Sequence, residues 1–387
     1  MRKLALIGFI VICAVAKGQT NFLISKYFSS GNISEAIWIK VINNDTIYHG
    51  PYTSYYPEGK VMQEGFYYEG APDSIWLTYH RFGARKSMFT FKKGLRSGEF
   101  KFWYEAGGLY QHGYYQNDLL NGTLVTYHQN GIVDSESNYL NGVLNGSSTV
   151  YSSEGIVRLK LSYVNGLEDG PWESFFETGE LNYKGQKKEG RFVDTLYTFY
   201  KNGQVQRKAY YNNGIIIGSM IGYYPDGTIM NTMTYSNGEI SGVYSSFYPN
   251  GGVAEMGNYA NSKRNGLWKS YFPSGAVNSY GNFVNDSLDG LWTVLYENGG
   301  LRQKGFYVSG NKMGEWQFYN SSGQFVMQGF YWDGLPENVW TIFYQNGRIA
   351  GRVAFMRGRQ IGAAYLYSEE GLINKTLHFK IPENFSK

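Results

Sequence analysis

The sequence predicts an all-β fold, namely an elongated single-layer antiparallel β-meander of about fourteen 24-residue β-hairpin repeats. One glycine phase recurs every 24 residues, and two turn signals in each period leave runs of roughly seven to nine residues. Runs of that length are typical of strands and too short for most helices. Composition agrees, because 50 Gly, 36 Tyr, 24 Phe and 9 Trp residues suit tight turns and pleated aromatic surfaces.

The repeat is anchored by a turn glycine that recurs fourteen times without an insertion. The turn glycines are Gly59, Gly83, Gly107, Gly131, Gly155, Gly179, Gly203, Gly227, Gly251, Gly275, Gly299, Gly323, Gly347 and Gly371. An aromatic residue stands four positions before each of them, except at Leu295. Turn sequences such as YPDG and YENG place Pro, Asn, Asp and Gly where a hairpin needs them. We therefore expect a linear array of hairpins.

A second glycine phase predicts the turn that connects each hairpin to the next. Its members are Gly50, Gly98, Gly122, Gly146, Gly170, Gly218, Gly242, Gly266, Gly290, Gly314 and Gly362, with Ser74, Asp194 and Asn338 as substitutes. In several copies a tryptophan follows two residues later, as at Trp76.

The second strand of each hairpin predicts how the aromatic side chains pack. Positions 61, 65 and 67 share one face and carry an apolar residue, Gly65 and an aromatic residue. The missing side chain at Gly65 leaves room for a Trp or Tyr of an adjacent strand. In the first strand, aromatic residues at positions 52, 55 and 56 require a bulge or a bend.

The N-terminal segment is typical of a secretory signal peptide. Arg2 and Lys3 precede an apolar stretch, and small residues up to Gly18 form a cleavage pattern. We therefore expect residues 1–18 to be removed on export to the periplasm, the outer surface or the medium. Cys13, the one cysteine of the chain, lies in this segment, so the mature protein has no disulfide and no thiol chemistry.

Three further regions are expected after the signal peptide. Residues 19–47 form an irregular N-terminal capping unit, because Gly31 lies 28 residues before Gly59 and therefore breaks the 24-residue period. Residues 48–380 form the repeat array, and residues 381–387 form a C-terminal tail.

The charge balance argues against a nucleic-acid partner. The chain has 35 cationic and 31 acidic residues, a formal net charge of +4. The signal peptide contains three cationic and no acidic residues, so the mature balance is 32 against 31. Such a balance lacks the basic surplus that nucleic-acid binding needs. Contact with a membrane surface stays open, although no sequence feature points to it.

No copy departs from the repeat in a way that indicates catalysis. His80 and His128 occupy the same phase two copies apart, too far from each other to share a metal ion or a proton. Each is interpreted as a replacement for Tyr on a half-buried strand. No H-E-x-x-H or G-x-S-x-G motif is present, and the acidic residues lie mostly at turns. We expect a non-enzyme without cofactor or metal.

A single-layer sheet cannot bury both of its faces, so we expect some aromatic side chains to be exposed as a binding surface. The aromatic candidates are Trp268, Trp292, Trp316 and Trp340. A dense arginine group that suits an anionic partner adds Arg348, Arg352, Arg357 and Arg359.

The repeat unit can be written G-x-W-x-x-Y-Y-x-x-G-x-x-x-x-x-G-x-Y-x-x-G. The segments NGLWKSYFPSGAVNSYGNFVN (residues 265–285) and GEWQFYNSSGQFVMQGFYWDG (residues 314–334) fit it best. In this pattern the chain resembles the MORN repeat, specifically the bacterial variant of antitoxin-like proteins of the YwqK type, over residues 48–380. The resemblance implies a meander of hairpins and a scaffold for protein contacts or, in some eukaryotic members, lipid contacts.

These observations favour an exported, non-enzymatic repeat scaffold that mediates protein–protein interaction at a bacterial cell envelope. One alternative is a carbohydrate- or cell-wall-binding module that uses exposed aromatic rings as stacking platforms. Another is an antitoxin-like protein, which rests on the resemblance alone. The expected partner is accordingly a protein or an envelope glycan.

Overall fold

The structure, a computed structural model, describes residues 9–16, 19–43 and 45–380. The chain divides into two compact units, Met1–Phe192 and Val193–Lys387. The described residues form strands and turns and contain no helix, so the predicted all-β antiparallel meander is confirmed. The predicted C-terminal tail (residues 381–387) lies outside the described residues, as do residues 1–8, 17 and 18 of the predicted signal peptide.

In the first unit each strand pairs antiparallel with the next along the chain, except that the short strands β10 and β11 both pair with β9 and, within the described residues, not with each other. The strands of this unit are β1 (Phe9–Ala16), β2 (Gln19–Tyr27), β3 (Ile33–Ile42), β4 (Asp45–Tyr55), β5 (Val61–Tyr68), β6 (Ala71–Tyr79), β7 (Arg85–Lys92), β8 (Leu95–Trp103), β9 (Leu109–Gln116), β10 (Leu119–Leu120), β11 (Gly122–Tyr127), β12 (Val133–Leu140), β13 (Val143–Tyr151), β14 (Val157–Val164), β15 (Leu167–Phe175) and β16 (Leu181–Lys188).

The second unit continues the same antiparallel order. Its strands are β17 (Arg191–Phe199), β18 (Val205–Asn212), β19 (Ile215–Tyr223), β20 (Ile229–Ser236), β21 (Glu239–Phe247), β22 (Val253–Ala260), β23 (Lys263–Tyr271), β24 (Val277–Val284), β25 (Ser287–Leu295), β26 (Leu301–Val308), β27 (Asn311–Tyr319), β28 (Phe325–Trp332), β29 (Leu335–Phe343), β30 (Ile349–Met356), β31 (Arg359–Tyr367) and β32 (Ile373–Phe379).

The fourteen predicted turn glycines all lie in hairpin turns. At the first of them, the Gly59 N–H donates to the Tyr56 carbonyl (2.8 Å) and the Tyr56 N–H donates to the Lys60 carbonyl (2.8 Å). This is a three-residue loop with its last residue in the left-handed region, which glycine adopts without a steric penalty. The fourteen glycines have φ between +81° and +102°, so this prediction is confirmed.

The second predicted turn is wrong. The chain reverses four residues earlier, at two-residue turns such as Glu69-Gly70, where φ is +47° and +84°. The predicted position, Ser74 in this copy, lies inside β6 at a bulge, with φ +61°. Both places need a positive φ, so a glycine marks either one. The Asn-Gly-like pairs are the stronger hairpin signal, because type I′ turns require positive φ at both central residues.

The N-terminal unit uses the same turn but longer strands. The Gly31 N–H donates to the Phe28 carbonyl (3.0 Å), as at the regular turns. β3 has 10 residues and β4 has 11, against 8 and 9 in the regular strands β5 and β6. Two extra residues in each strand account for the 28-residue spacing between Gly31 and Gly59.

The core is built where a tryptophan ring covers a glycine of the neighbouring strand. A Cβ atom on Gly65 would lie 2.2 Å from the Trp76 ring, and the Trp76 Nε1–H donates to the Phe66 carbonyl (3.2 Å). The same contact occurs between Gly257 and Trp268 and, in other copies, between Gly305 and Trp316 and between Gly329 and Trp340. The predicted role of this glycine phase is therefore confirmed. We call the face that carries these rings the tryptophan face, and the other the opposite face.

Successive turns are also joined by hydrogen bonds between side chain and backbone. The Tyr56 hydroxyl donates to the Tyr79 carbonyl (2.7 Å), 23 residues along the chain. The corresponding donors elsewhere are Tyr104, Tyr200, Tyr224, Tyr248, Tyr296 and Tyr344. His128 occupies this position in its own copy, with Nε2 3.3 Å from the Tyr151 carbonyl oxygen. His128 thus replaces Tyr, as expected, although it does so at a turn.

Candidate functional site

The four predicted tryptophans do not form the expected exposed surface, because three of them are buried. Trp316 is 0%, Trp268 2% and Trp340 6% exposed, and Trp292 is half-buried. The expectation that these rings form an exposed stacking surface is therefore wrong for Trp268, Trp316 and Trp340. Sequence alone missed their burial because the covering side chains come both from neighbouring strands and from residues of the same strand beyond a bulge.

Cationic side chains complete the cover over these rings. The Arg264 guanidinium lies 4.1 Å from the centre of the Phe283 ring and 5.6 Å from that of Trp268. The Lys312 ammonium lies 4.2 Å from the centre of the Trp316 ring and 4.8 Å from that of Tyr331. Burial lowers the pKa of Lys312. Through these cation–π contacts, the Arg264 and Lys312 side chains cover the aromatic rings of the tryptophan face.

The structure instead offers a depression on the opposite face of the second unit. It has a volume of about 500 Å³ and lies over β29, β30 and β31. A smaller one of about 390 Å³ adjoins it and shares Arg352 and Tyr367. The larger is lined by Val339, Thr341, Arg352, Val353, Ala354, Ala363, Tyr365 and Tyr367.

The floor of the depression consists of small side chains where the immediately preceding copies carry larger ones. Ala354 stands where the preceding copies carry Phe330 and Phe306. Ala363 stands where the preceding copy carries Val339. Alanine at both positions leaves a floor of small side chains, as in earlier copies that carry Ser162 and Ser147 at the same phases. The walls are the tyrosines of β31 and the Arg352 side chain.

Arg352 supplies the charge of this site. Its side chain is exposed, and it forms no ion pair within the described part of the chain. Arg348 lines the adjoining depression, where its Nη1–H donates to the Glu369 carbonyl (2.6 Å). A guanidinium beside an apolar floor suits a carboxylate or another planar anion on an otherwise apolar ligand.

The four predicted arginines are only partly brought together. Arg348 and Arg352 line the two depressions, whereas Arg357 and Arg359 line neither. Arg357 lies in a type I′ turn, where its backbone N–H donates to the Glu337 Oε2 (2.5 Å), and Arg359 begins β31. Sequence reasoning missed Tyr365 and Tyr367 as wall residues, although Ala354 and Ala363 depart visibly from the repeat.

Across residues 9–16, 19–43 and 45–380, no group of three or more His, Cys, Asp or Glu side chains is placed to hold a metal ion. The same residues contain no helix that is long and apolar enough to cross a membrane.

Two of the solved structures that resemble this chain are remote likenesses. One is the TcdB2–TccC3 structure without its hypervariable C-terminal region, at 11% identity and a TM-score of 0.15, over 90% of this chain. This chain spans 21% of the length of that one. Another is a porin-like protein from Bacteroides uniformis, at 9% identity and a TM-score of 0.13, over 60% of this chain and 90% of that one. Likenesses this weak carry no argument.

Among curated proteins no significant match is found. The family comparison is informative, because the MORN repeat variant matches eight times within the predicted array. The matched residues are 48–68, 96–117, 120–141, 195–213, 217–237, 240–261, 264–285 and 288–309. These segments lie in both units and contain the glycines and tyrosines that build the observed hairpins. The chain belongs to the proteins built from the MORN repeat variant.

Proposed function

We propose that this protein is an exported, non-enzymatic scaffold that binds a polypeptide partner through the depression around Arg352. Membership of the MORN repeat variant suggests a repeat scaffold for protein or membrane interaction. A protein partner at a bacterial envelope is supported by the depression around Arg352 and by the N-terminal sequence.

The observation that carries the proposal is the local loss of bulk beside an exposed guanidinium. The repeat places Phe306 and Phe330 at positions equivalent to Ala354, so the backbone tolerates a large ring there. The packing of the sheet therefore gives no reason for an alanine floor. A concave apolar surface with one fixed charge is the usual form of a binding pocket.

The chemistry of the lining favours binding over catalysis. The depression is lined by apolar, hydroxyl and phenol side chains and one guanidinium. Phenol and guanidinium groups donate hydrogen bonds to the carboxylate and carbonyl oxygens of a ligand. This composition supports a role in recognition.

Export is supported by the charged and apolar residues that precede Gly18. The segment Phe9–Ala16 forms β1 and pairs with β2. Its removal on export would leave β2 as the edge strand of the first unit. The mass of the mature N-terminus, which we expect to begin after residue 18, checks this part of the proposal.

Glycan binding is the second candidate, and one observation favours it. Trp332, at the end of β28, is 61% exposed, unlike the tryptophans of the tryptophan face. Exposed aromatic rings serve proteins and sugars alike as contact surfaces.

The test is retention of envelope components on the immobilised protein. Wild type, Arg352→Gln and the control Arg302→Gln are compared, because Arg302 is exposed but does not line the depressions. We expect one or more defined proteins to bind wild type and Arg302→Gln at physiological salt and to be lost with Arg352→Gln. Equal retention by all three, or retention of glycan alone, would reject the proposal.

A further inference from the structure

A continuous row of cross-strand neighbours crosses the opposite face of the second unit. It runs from Lys208 on β18 to Tyr365 on β31, and each member lies directly opposite the next. Residues directly opposite in antiparallel strands share a face. The charged members are all cations, namely Lys208, Lys269, Lys304 and Arg352.

These cations lack carboxylate partners. Lys208 lies over the Tyr223 ring at 5.9 Å, and within residues 45–380 none of the four forms an ion pair. The row itself contains no Asp or Glu; Thr293 and Gln317, for example, flank Lys304. Its positive charge is therefore not neutralised within the row.

The corresponding row of the first unit is different. It runs from Glu64 to Lys184 and alternates in sign, with carboxylates at Glu136 and Glu173. The Lys184 Nζ lies 3.3 Å from the Glu173 Oε1. The same backbone positions thus carry compensated charge in one unit and uncompensated charge in the other. The repeat itself does not require the positive row.

A second row, which we call the apolar row, runs beside the cations on the same face and combines exposed apolar side chains with polar ones, namely Asn258, Asn282 and Glu315. Leu291 and Phe306 lie directly opposite each other and are 46% and 54% exposed. Each is two residues along its strand from a member of the cationic row, a distance of about 7 Å. Other exposed members of the apolar row are Val243, Leu267 and Val339.

We infer that these two rows together bind an acidic, amphipathic segment of another polypeptide that lies across the strands. The inference rests on the proposed function and extends its site from Arg352 along the second unit. The cationic row pairs with carboxylates of the segment, and the apolar row takes its apolar side chains. Both rows meet the depression, which is lined by Val339 and Arg352.

The spacing of the cations favours a polypeptide. Lys269 on β23, Lys304 on β26 and Arg352 on β30 are separated by three and four strands, or about 14 and 19 Å. Uncharged side chains that form hydrogen bonds fill the intervals. A helix rises 1.5 Å per residue, so carboxylates about ten and thirteen residues apart would match. The negative charges of a polyphosphate or of an anionic lipid surface are spaced more closely than these cations.

The test is fluorescence anisotropy at low salt with three labelled synthetic helical peptides of about 25 residues, long enough to span Lys269 to Arg352. The first has a leucine stripe beside a glutamate stripe. The second has lysine in place of glutamate, and the third has serine in place of leucine. We expect the first peptide to bind and the other two to bind much more weakly.

Two charge variants locate the binding. In one, Lys269, Lys304 and Arg352 are all replaced by Gln; in the control, Lys101, Lys160 and Lys184 of the first unit are replaced. We expect the first variant to weaken binding of the leucine–glutamate peptide about tenfold, as for the loss of three exposed ion pairs, and the control to leave it unchanged. A double variant with Leu291→Gln and Phe306→Gln should weaken it as well.

Several outcomes would overturn the inference. These are no binding of the leucine–glutamate peptide, equal binding of the serine–glutamate peptide, equal loss in the first-unit control, or tighter, row-dependent binding to phosphatidylglycerol vesicles. If Arg352→Gln abolishes capture of an envelope protein, but replacement of the cationic row does not change peptide binding, the inference fails and the proposed function stands. If the leucine–glutamate peptide binds through the row and no envelope protein is recovered, the inference stands and the proposed function fails.

Discussion

Gly257 determines how closely β22 packs against the ring of Trp268 on β23. A Cβ atom at this position would lie 2.2 Å from the ring, closer than any real contact. The Trp268 Nε1–H also donates to the Asn258 carbonyl (3.1 Å), so the ring cannot move away without losing that bond. A single missing side chain therefore permits the burial of the largest side chain in the copy.

Replacement of Gly257 by Ala should destabilise the second unit by about 1–3 kcal/mol, the usual cost of overpacking a core. Thermal unfolding followed by tryptophan fluorescence measures the loss. The matched control is Gly108→Ala, whose Cβ would meet no atom closer than 3.9 Å and which should be near neutral. Equal effects of the two substitutions would show that the ring does not need the glycine.

The packing of these rings was predictable only in part. The phase of Gly65 and its equivalents predicts that a Trp lies over the glycine, and the structure confirms it. The burial of Trp316 was not predictable, because Lys312 and Tyr331 reach the ring across turns and bulges that the sequence does not locate. The depression was predictable in principle from Ala354, which stands where the two preceding copies carry Phe330 and Phe306.

Each hairpin is held to the next by its type I′ turn. At Asn117-Asp118 the Asp118 Oδ1 accepts from the Arg96 N–H (3.0 Å) and from the Arg96 Nε–H (2.9 Å). Arg264 and Asp286 repeat the arrangement in the second unit, with Nε and Oδ1 3.6 Å apart. In both copies Asp replaces the turn glycine, and the arginine that it holds covers an aromatic ring.

The Arg96 contact should make the stability of the first unit depend on pH. The hydrogen bond from the Arg96 side chain lowers the pKa of Asp118 below 3.8. A carboxyl group whose pKa is lower in the folded state than in the unfolded state stabilises the fold at pH values above its unfolded-state pKa. This contribution is lost as the pH falls through the folded-state pKa. Asp118→Asn, which keeps a residue tolerant of positive φ, should therefore lower the thermal midpoint at pH 7.

The measurement is the difference in thermal midpoint between wild type and Asp118→Asn at several pH values. It should shrink towards zero as the pH falls below 3.8. Asp333→Asn is the control, because Asp333 accepts from the side-chain amide of Asn311 and has no arginine partner among the described ion pairs. A difference that stays constant from pH 7 to pH 3 would contradict the assignment.

The turns also show which elements sequence patterns locate. The turns at Gly59 and its equivalents were located correctly, because the glycine that recurs every 24 residues is also the residue whose positive φ the turn requires. The second turn was misplaced by four residues because its glycine phase belongs to a bulge. Pairs such as Asn165-Gly166 were the better marker, since both residues take positive φ.

Over the whole chain, the repeat gives both units the same backbone but different surfaces. Nearest-neighbour packing stabilises every copy, so a side chain on the opposite face can change without loss of the fold. In the first unit that freedom yields compensated pairs such as Lys184 and Glu173. In the second it yields uncompensated cations, an apolar row and a depression. The repeat thus explains the fold, and the departures from it carry the proposed function.

The most direct test places a photoreactive amino acid in the depression and at its equivalent in the first unit. Position 363 lies in the depression, and position 147 holds the same phase nine copies earlier and is exposed. With envelope extract, the account predicts a discrete protein cross-linked at position 363, absent at position 147 and lost when Arg352→Gln is added. Cross-linking of equal yield at both positions, or none at position 363, would contradict the claim that this depression binds the partner.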